Sequence, residues 1–222
     1  MKTIILFLLC LITTLFAKSQ VQATLIEDVV YTPTKSSVAA FNYNKAHNYF
    51  DKNDYKSAIE YYKLAILNDS NFIDAYDNLA LSYRRSNKLD SAEYFYLLSS
   101  KKYPKGEASV MNLGLVEHIR KNYTKAIFYY NKLIEINPKN PEAYYGLSKI
   151  YSDKGDDGLA YKNGILAEKI YSELNSPYIG DCYYQLCIVC INLNDKINAK
   201  KYLRLAKSKG VEIDKQVESI LK

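Results

Sequence analysis

A chain of 222 residues, 48% hydrophobic and 14% aromatic, has enough apolar side chain for a packed core, which excludes wholesale disorder. Its formal charge of +6 is spread among 24 acidic side chains without any Lys/Arg block, so no nucleic-acid partner is expected, and pairs such as Arg84-Arg85, Lys101-Lys102 and Lys200-Lys201 read as solvated helix faces. The aromatics are 23 Tyr and 7 Phe with no Trp, so many half-buried positions must accept a ring whose hydroxyl reaches water.

At the N-terminus, Met1-Lys2-Thr3 supplies one positive charge and Ile4 to Phe16 is apolar apart from Thr13 and Thr14. The run is short of the roughly 20 residues of a membrane span and reads as the core of a secretory signal peptide over residues 1–19. Ala17 and Ser19 frame the bond before Gln20, where cleavage is expected, with cleavage after Ala17 as the alternative and an uncleaved anchor as the competing reading. Cys10 follows Leu8-Leu9 rather than a small residue and does not look like an acylation site. Export to the periplasm or out of the cell is therefore expected, with no membrane span after cleavage. Residues 20–38, QVQATLIEDVVYTPTKSSV, show no sustained period and carry Pro33, which predicts a linker. Leu25, Val29, Val30 and Tyr31 leave open a short extended segment packed against the chain from Ala39 onward.

Periodicity begins at Ala39. Ala58, Ala92, Ala126 and Ala160 fall 34 residues apart, and Ala199 comes 39 later. Frames opened at Ala39, Ile73, Glu107, Pro141 and Gly180 give a recurring set. The second holds Tyr76, Leu79, Ala80 and Tyr83; the third Val110, Leu113, Gly114 and Glu117; the fourth Tyr144, Leu147, Ser148 and Tyr151; the fifth Tyr183, Leu186, Cys187 and Cys190. The first is weaker, with Asn42, Lys45, Ala46 and Tyr49. A ring recurs four residues after the periodic alanine as Tyr62, Tyr96 and Tyr130, then gives way to Gly164 and Leu203, while Pro104 and Pro138 close two frames. Small side chains at two phases allow antiparallel helices to cross closely, with bulky neighbours filling the rest. Asn53, Asn87, Gly155 and Asn194 share a turn phase and tolerate a left-handed backbone; Lys121 departs from that habit, with Asn122 beside it.

This pattern resembles the tetratricopeptide repeat over about residues 39–213. The resemblance implies an all-α, right-handed solenoid of five helix-turn-helix repeats, over 39–72, 73–106, 107–140, 141–179 and 180–213. A C-terminal capping helix is predicted over Glu212 to Lys222, with residues 214–222 beyond the array and Ile213, Val217, Ile220 and Leu221 on its apolar face. The five extra residues before Ala199 are expected to lengthen the second helix of repeat four, LAYKNGILAEKIYSELN.

Residues capable of chemistry are sparse. His47 and His118 are two repeats apart and read as polar groove residues rather than a shared metal or acid-base site. Cys182, Cys187 and Cys190 remain once the leader is removed; Cys187 and Cys190 occupy packing places and are expected as buried free thiols, the competing reading being a disulfide or metal pair. Gly155-Asp156-Asp157-Gly158 lacks spaced calcium ligands and reads as a turn. Asn68-Asp69-Ser70 and Asn122-Tyr123-Thr124 are formal glycosylation sequons. No cofactor, metal or enzymatic activity is expected.

In the tetratricopeptide family the concave wall is formed by the first helix of each repeat. The resemblance therefore places Tyr43, His47 and Phe50 on that wall, followed by Asp74, Asp77, Leu81 and Arg84. Met111, Leu115 and His118 come next, then Glu142, Tyr145 and Lys149, and finally Asp181, Tyr184, Ile188 and Ile191. The carboxylate clamp of chaperone-binding members is missing, because Tyr43 and His47, or Asp77 and Leu81 one repeat on, stand where Lys and Asn would. The implied function is a non-enzymatic, exported adaptor or scaffold that binds a protein or peptide in its groove, in an envelope or secretion assembly. The alternatives are a self-associating structural protein, with homo-oligomers, and a thiol or metal protein using Cys187 and Cys190.

Overall fold

A computed structural model describes residues 25–26, 29–30 and 34–221. The expected signal peptide therefore lies outside the described residues. Two short strands, β1 (Leu25–Ile26) and β2 (Val29–Val30), pair antiparallel with Leu25 opposite Val30. All the other elements are helices, and they come in consecutive pairs: α1 (Ser37–Asp51) with α2 (Tyr55–Asn68), α3 (Ile73–Arg85) with α4 (Leu89–Lys102), α5 (Glu107–Ile119) with α6 (Tyr123–Ile136), α7 (Pro141–Asp153) with α8 (Asp157–Glu173), and α9 (Ile179–Asn192) with α10 (Lys196–Ser208). A short α11 (Lys215–Ile220) ends the described chain.

Helix α1 starts two residues before the Ala39 frame because Ser36 caps it, accepting the Ala39 N–H at 3.2 Å. The Thr34 hydroxyl donates to the Asp69 carboxylate just past α2, so residues 34–36 are tied to the far end of the first pair.

The period of 34 is a packing period. Ala46, Ala58, Ala80, Ala92, Ala126, Ala160 and Ala199 are all fully buried where paired helices cross. At the fourth crossing Ser148 takes the small place and donates its hydroxyl to the Ala160 carbonyl at 2.8 Å, satisfying a polar group that burial would otherwise penalise. Tyr62, Tyr96 and Tyr130 fill the space behind these crossings. In the fourth repeat the ring is replaced by Gly164, where an added Cβ would stand 2.7 Å from Leu186 Cδ2. Leu186 of the next repeat therefore occupies volume that a tyrosine fills elsewhere.

Each turn within a pair has one residue with a left-handed backbone, with φ of 59° at Asn53, 58° at Asn87, 60° at Lys121, 78° at Gly155 and 58° at Asn194. Lys121 thus keeps the phase it looked set to break, and Asn122 does not take its place: Asn122 has φ −83° and stands at the N-terminus of α6. A lysine held there carries a steric cost of about 1 kcal/mol that glycine would avoid.

Helix α8 has 17 residues against 13 to 15 in the other nine paired helices, so the insertion adds about one turn before Asn175, at φ 50°, ends it. The cap is smaller than expected. Asp214 accepts the Gln216 N–H at 2.7 Å and starts a helix of only six residues, so a single stripe is buried: Val217 and Leu221 pack against the last repeats, while Ile220 is 52% exposed.

Candidate functional site in the concave wall

The first helix of each pair is succeeded by an antiparallel second helix, so α1, α3, α5, α7 and α9 run in the same direction. Neighbours among α3, α5, α7 and α9 touch directly, and Asn78 of α3 donates to the Tyr43 hydroxyl of α1 at 2.8 Å, which joins the wall at its N-terminal end.

A cavity of about 240 Å³ opens in this wall between α5 and α7. Met111, Leu115 and His118 come from α5 and Glu142, Tyr145, Gly146 and Lys149 from α7, while Tyr130 of α6 forms the floor. Six residues that the family resemblance placed on the wall, Met111, Leu115, His118, Glu142, Tyr145 and Lys149, are thus brought together. Tyr130 and Gly146 were not anticipated there, and Gly146 explains both. A Cβ at position 146 would lie 2.4 Å from Tyr130 Cζ, and one at Gly114 would lie 3.1 Å from the same ring, so two glycines let the tyrosine slide under the groove. The signal was present: the same frame place holds Asn44, Asn78, Asn112 and Gln185 in the other repeats.

The rim is polar and partly engaged. Glu142 accepts the Tyr171 hydroxyl at 2.5 Å, and the Tyr171 ring meets Tyr145 edge-on at 6.4 Å. Burial raises the pKa values of the Tyr130 and Tyr145 hydroxyls above the ordinary tyrosine value, so both stay protonated donors. Lys149 Nζ lies 5.6 Å from the centre of the Tyr145 ring. His118 Nε2 is 2.7 Å from Asp153 Oδ2, which fixes the histidine at one end of the cavity.

One repeat earlier, α3 presents Asp77, Leu81 and Arg84 on one face. Burial pushes the Asp77 carboxyl up to about 7; the Ser99 hydroxyl beside it pulls the other way and Asp74 adds to the rise. Asp77 Oδ1, Ser99 Oγ, Arg84 Nε and Tyr96 Oη are all buried and face one another as two pairs, Asp77 with Ser99 and Arg84 with Tyr96, at geometry short of a full hydrogen bond. Arg84 is near enough to Tyr96 to oppose the rise of its hydroxyl to about 12, and it also acts on Tyr130.

The ends of the wall are less open. Tyr43 is engaged by Asn78, and His47, which is exposed, stacks on the Tyr43 ring with centroids 6.4 Å apart. The Tyr184 hydroxyl accepts the Asp214 N–H at 3.3 Å, so the C-terminal segment covers part of that position, while Ile188 is half-buried. The two histidines do not converge; each has its own carboxylate neighbour, Asp51 for His47 and Asp153 for His118.

Among the described residues Cys182, Cys187 and Cys190 are buried free thiols. Burial raises Cys182 to about 12 and Cys187 and Cys190 to about 11, and Cys182 Sγ faces the Gly164 carbonyl at 3.5 Å. Thiols held this far above neutrality are poor nucleophiles and poor metal ligands.

Outside the wall, Glu117 stands at an aromatic place of its frame yet is fully buried. Arg120 holds it at 2.8 Å and reaches Glu93 and Asp90 at 2.5 Å each. This knot ties repeat three to repeat two where a ring was expected. Among the described residues no helix is long and apolar enough to cross a membrane.

Two segments match tetratricopeptide repeat family profiles, residues 39–72 and 114–155. No curated protein sequence matches the chain. Solved structures with a similar fold include the MamA protein, at 19% identity and TM-score 0.62 over 78% of this chain and 91% of that one. PilF of Pseudomonas aeruginosa is similar at 19% identity and TM-score 0.68, covering 85% of this chain and 84% of its own. The first tetratricopeptide domain of Spaghetti (RPAP3), bound to the HSP90 peptide SRMEEVD, has 24% identity and TM-score 0.51 over 54% of this chain and 95% of that one. The described helices form a right-handed tetratricopeptide-repeat solenoid of five helix pairs with a C-terminal cap, and the chain carries tetratricopeptide repeats at both matched segments.

Proposed function

We propose that this protein is an exported, non-enzymatic adaptor that holds a protein partner in its concave groove, in an envelope or secretion assembly. The observation that carries this reading is the cavity between α5 and α7. Its lining residues Met111, Leu115, Tyr145 and Lys149 come from two neighbouring wall helices and converge on an apolar hollow with a polar rim, Met111 and Tyr145 also packing against the core beneath. A rigid stack binds without ordering itself, so little affinity is lost to reorganisation. The tetratricopeptide domain of Spaghetti, which holds a peptide, supports the general mode, although the chaperone clamp residues are missing here. Export rests on the leader, Met1 to Ser19.

A random-peptide display library selected on the purified mature protein tests the groove. Selected peptides are expected to lose binding when Tyr145→Ala removes one wall of the cavity, with a cooperative melt showing that the variant still folds. Peptides that bind the Tyr145→Ala protein equally well would mean that the groove is not the binding surface. Cell fractionation with and without residues 1–19 tests export, and retention of both forms inside the cell would contradict it.

A further inference from the structure

The face that each first helix turns toward the preceding repeat has a regular place, the third of each frame. Ala75, Ser109, Ala143 and Cys182 occupy it in repeats two to five, and all four are buried. Ala75 shares a core cluster with Ala65 of α2, and Cys182 shares one with Ala167 of α8, so the second helix of the repeat before supplies the cover. Among the described residues no helix precedes α1. Its third place is Phe41, which is 65% exposed, and Val38, in the place filled by the buried Phe72 and Ile179, is 54% exposed. Lys45 Nζ stands 4.3 Å from the centre of the Tyr61 ring, and one turn further along these two antiparallel helices Phe41 comes beside Leu64, which is also exposed.

The rest of the same face is already polar. Lys45 and Asn48 stand where repeat three buries Leu113 and Val116. A terminal repeat needs a polar outer face, and the second half of α1 has one. The apolar remainder lies at the other end of α1, where the chain enters. There the Thr34 hydroxyl donates to Asp69 and accepts the Ser36 N–H at 3.1 Å, which pins the incoming chain beside the end of α2.

Just upstream are β1 and β2, whose register sets Leu25 opposite Val30 and Ile26 opposite Val29. All four residues are apolar, and a two-stranded hairpin is at best marginal in water without a surface to pack on. Four residue steps separate Val30 from Thr34, at most about 14 Å of chain. Phe41 lies about 6 Å along α1 from Ser37. An apolar hairpin that needs a surface is therefore tethered within reach of an apolar surface that needs a cover.

We propose that residues 25–33 fold over the N-terminal end of the array, the paired strands standing in for a preceding second helix and covering Val38, Phe41 and Leu64. A segment on so short a tether acts at an effective concentration of about a millimolar, which favours it over a second copy of the chain. The cover closes this end, so that two arrays do not stack on each other there. It is independent of what the groove binds.

For the test, the purified mature protein carries a photoreactive phenylalanine in place of Phe41, and crosslinked peptides are identified by mass spectrometry. Crosslinks from this position to the peptide spanning residues 25–33 are expected, with a yield that does not change on dilution. Crosslinks between two copies, with a yield that falls on dilution, would overturn the proposal and assign the face to self-association. A side chain that reacts only with solvent would overturn it as well. A second protein carries Leu25→Ser, Ile26→Ser, Val29→Ser and Val30→Ser, which leave the helices untouched. Amide exchange over residues 40–46 of α1 is expected to rise about tenfold, in line with lost burial of one large apolar side chain, while residues 107–119 of α5 keep their protection. With Phe41→Ser already present, the four substitutions should change exchange no further. Equal exchange in the four-serine variant and the parent would show that the strands do not cover α1 and overturn the proposal.

Discussion

Replacing Asp77 with Asn should stabilise the protein in a pH-dependent way. The carboxyl is shifted from 3.8 to about 7 in the folded chain, mainly by burial, so the folded state binds its proton more tightly than the unfolded state does. For a raised pKa the sign is fixed: stability associated with the proton is fully present below pH 3.8 and is lost as pH rises through about 7. A shift of about three units corresponds to a ceiling of about 4 kcal/mol at 1.36 kcal/mol per unit. Asparagine is nearly isosteric and carries no charge, so the variant escapes that loss. Urea unfolding of both proteins should show a stability difference that is flat below about pH 4, grows through neutrality and levels off above about pH 8. The carboxylates of Asp54 and Asp195, whose pKa values are lowered by hydrogen bonds to Ser57 and Asn198, are common to both proteins and cancel in the comparison. A difference that does not change with pH would refute the buried, charge-sensitive environment assigned to Asp77.

Other perturbations probe other parts of the molecule. Lys121→Gly relieves a φ of 60° and should raise stability by about 1 kcal/mol in equilibrium unfolding, whereas Asn122→Gly, one residue on, should not. Arg120→Ala leaves the Glu117 carboxylate buried beside only Lys125, 4.0 Å away, and should destabilise by about 3 kcal/mol, with Glu117→Gln restoring part of the loss in the double variant. Gly146→Ala drives a methyl group to within 2.4 Å of the Tyr130 ring; thermal melting should fall by the equivalent of about 1–3 kcal/mol, and groove ligands should weaken because the cavity floor is displaced.

The architecture was legible because solenoid packing repeats in sequence. A small residue every 34 positions marks each helix crossing, and Ala58, Ala92, Ala126 and Ala160 are fully buried there. Lys121 was misleading because the turn geometry is imposed by the two helices it joins, which outweighs the preference of one residue. The cap was overestimated for a related reason. An apolar pattern shows which residues can face the core, but not how much core remains: Val217 and Leu221 pack on the last pair, while Ile220 is left exposed. At the site, position in the frame picked out Met111, Leu115, His118, Glu142, Tyr145 and Lys149, which line one hollow. It missed Tyr130, which the pattern had assigned to packing, because that depth depends on Gly146 in another repeat. It also missed the burial of Asp77 against Ser99 and of Arg84 against Tyr96, since burial of a single oxygen or nitrogen has no sequence period.

Photo-crosslinking in the native cell tests most directly whether the groove holds a partner. A photoreactive side chain at Leu115, in the cavity, is compared with one at Phe128 on α6, which is 60% exposed and points away from the floor because it is two residues, or about 200°, around the helix from Tyr130. A discrete crosslinked partner is expected from Leu115 and none of comparable yield from Phe128. A partner captured from Phe128 alone would place the interaction on the outer surface and contradict the groove as the binding site.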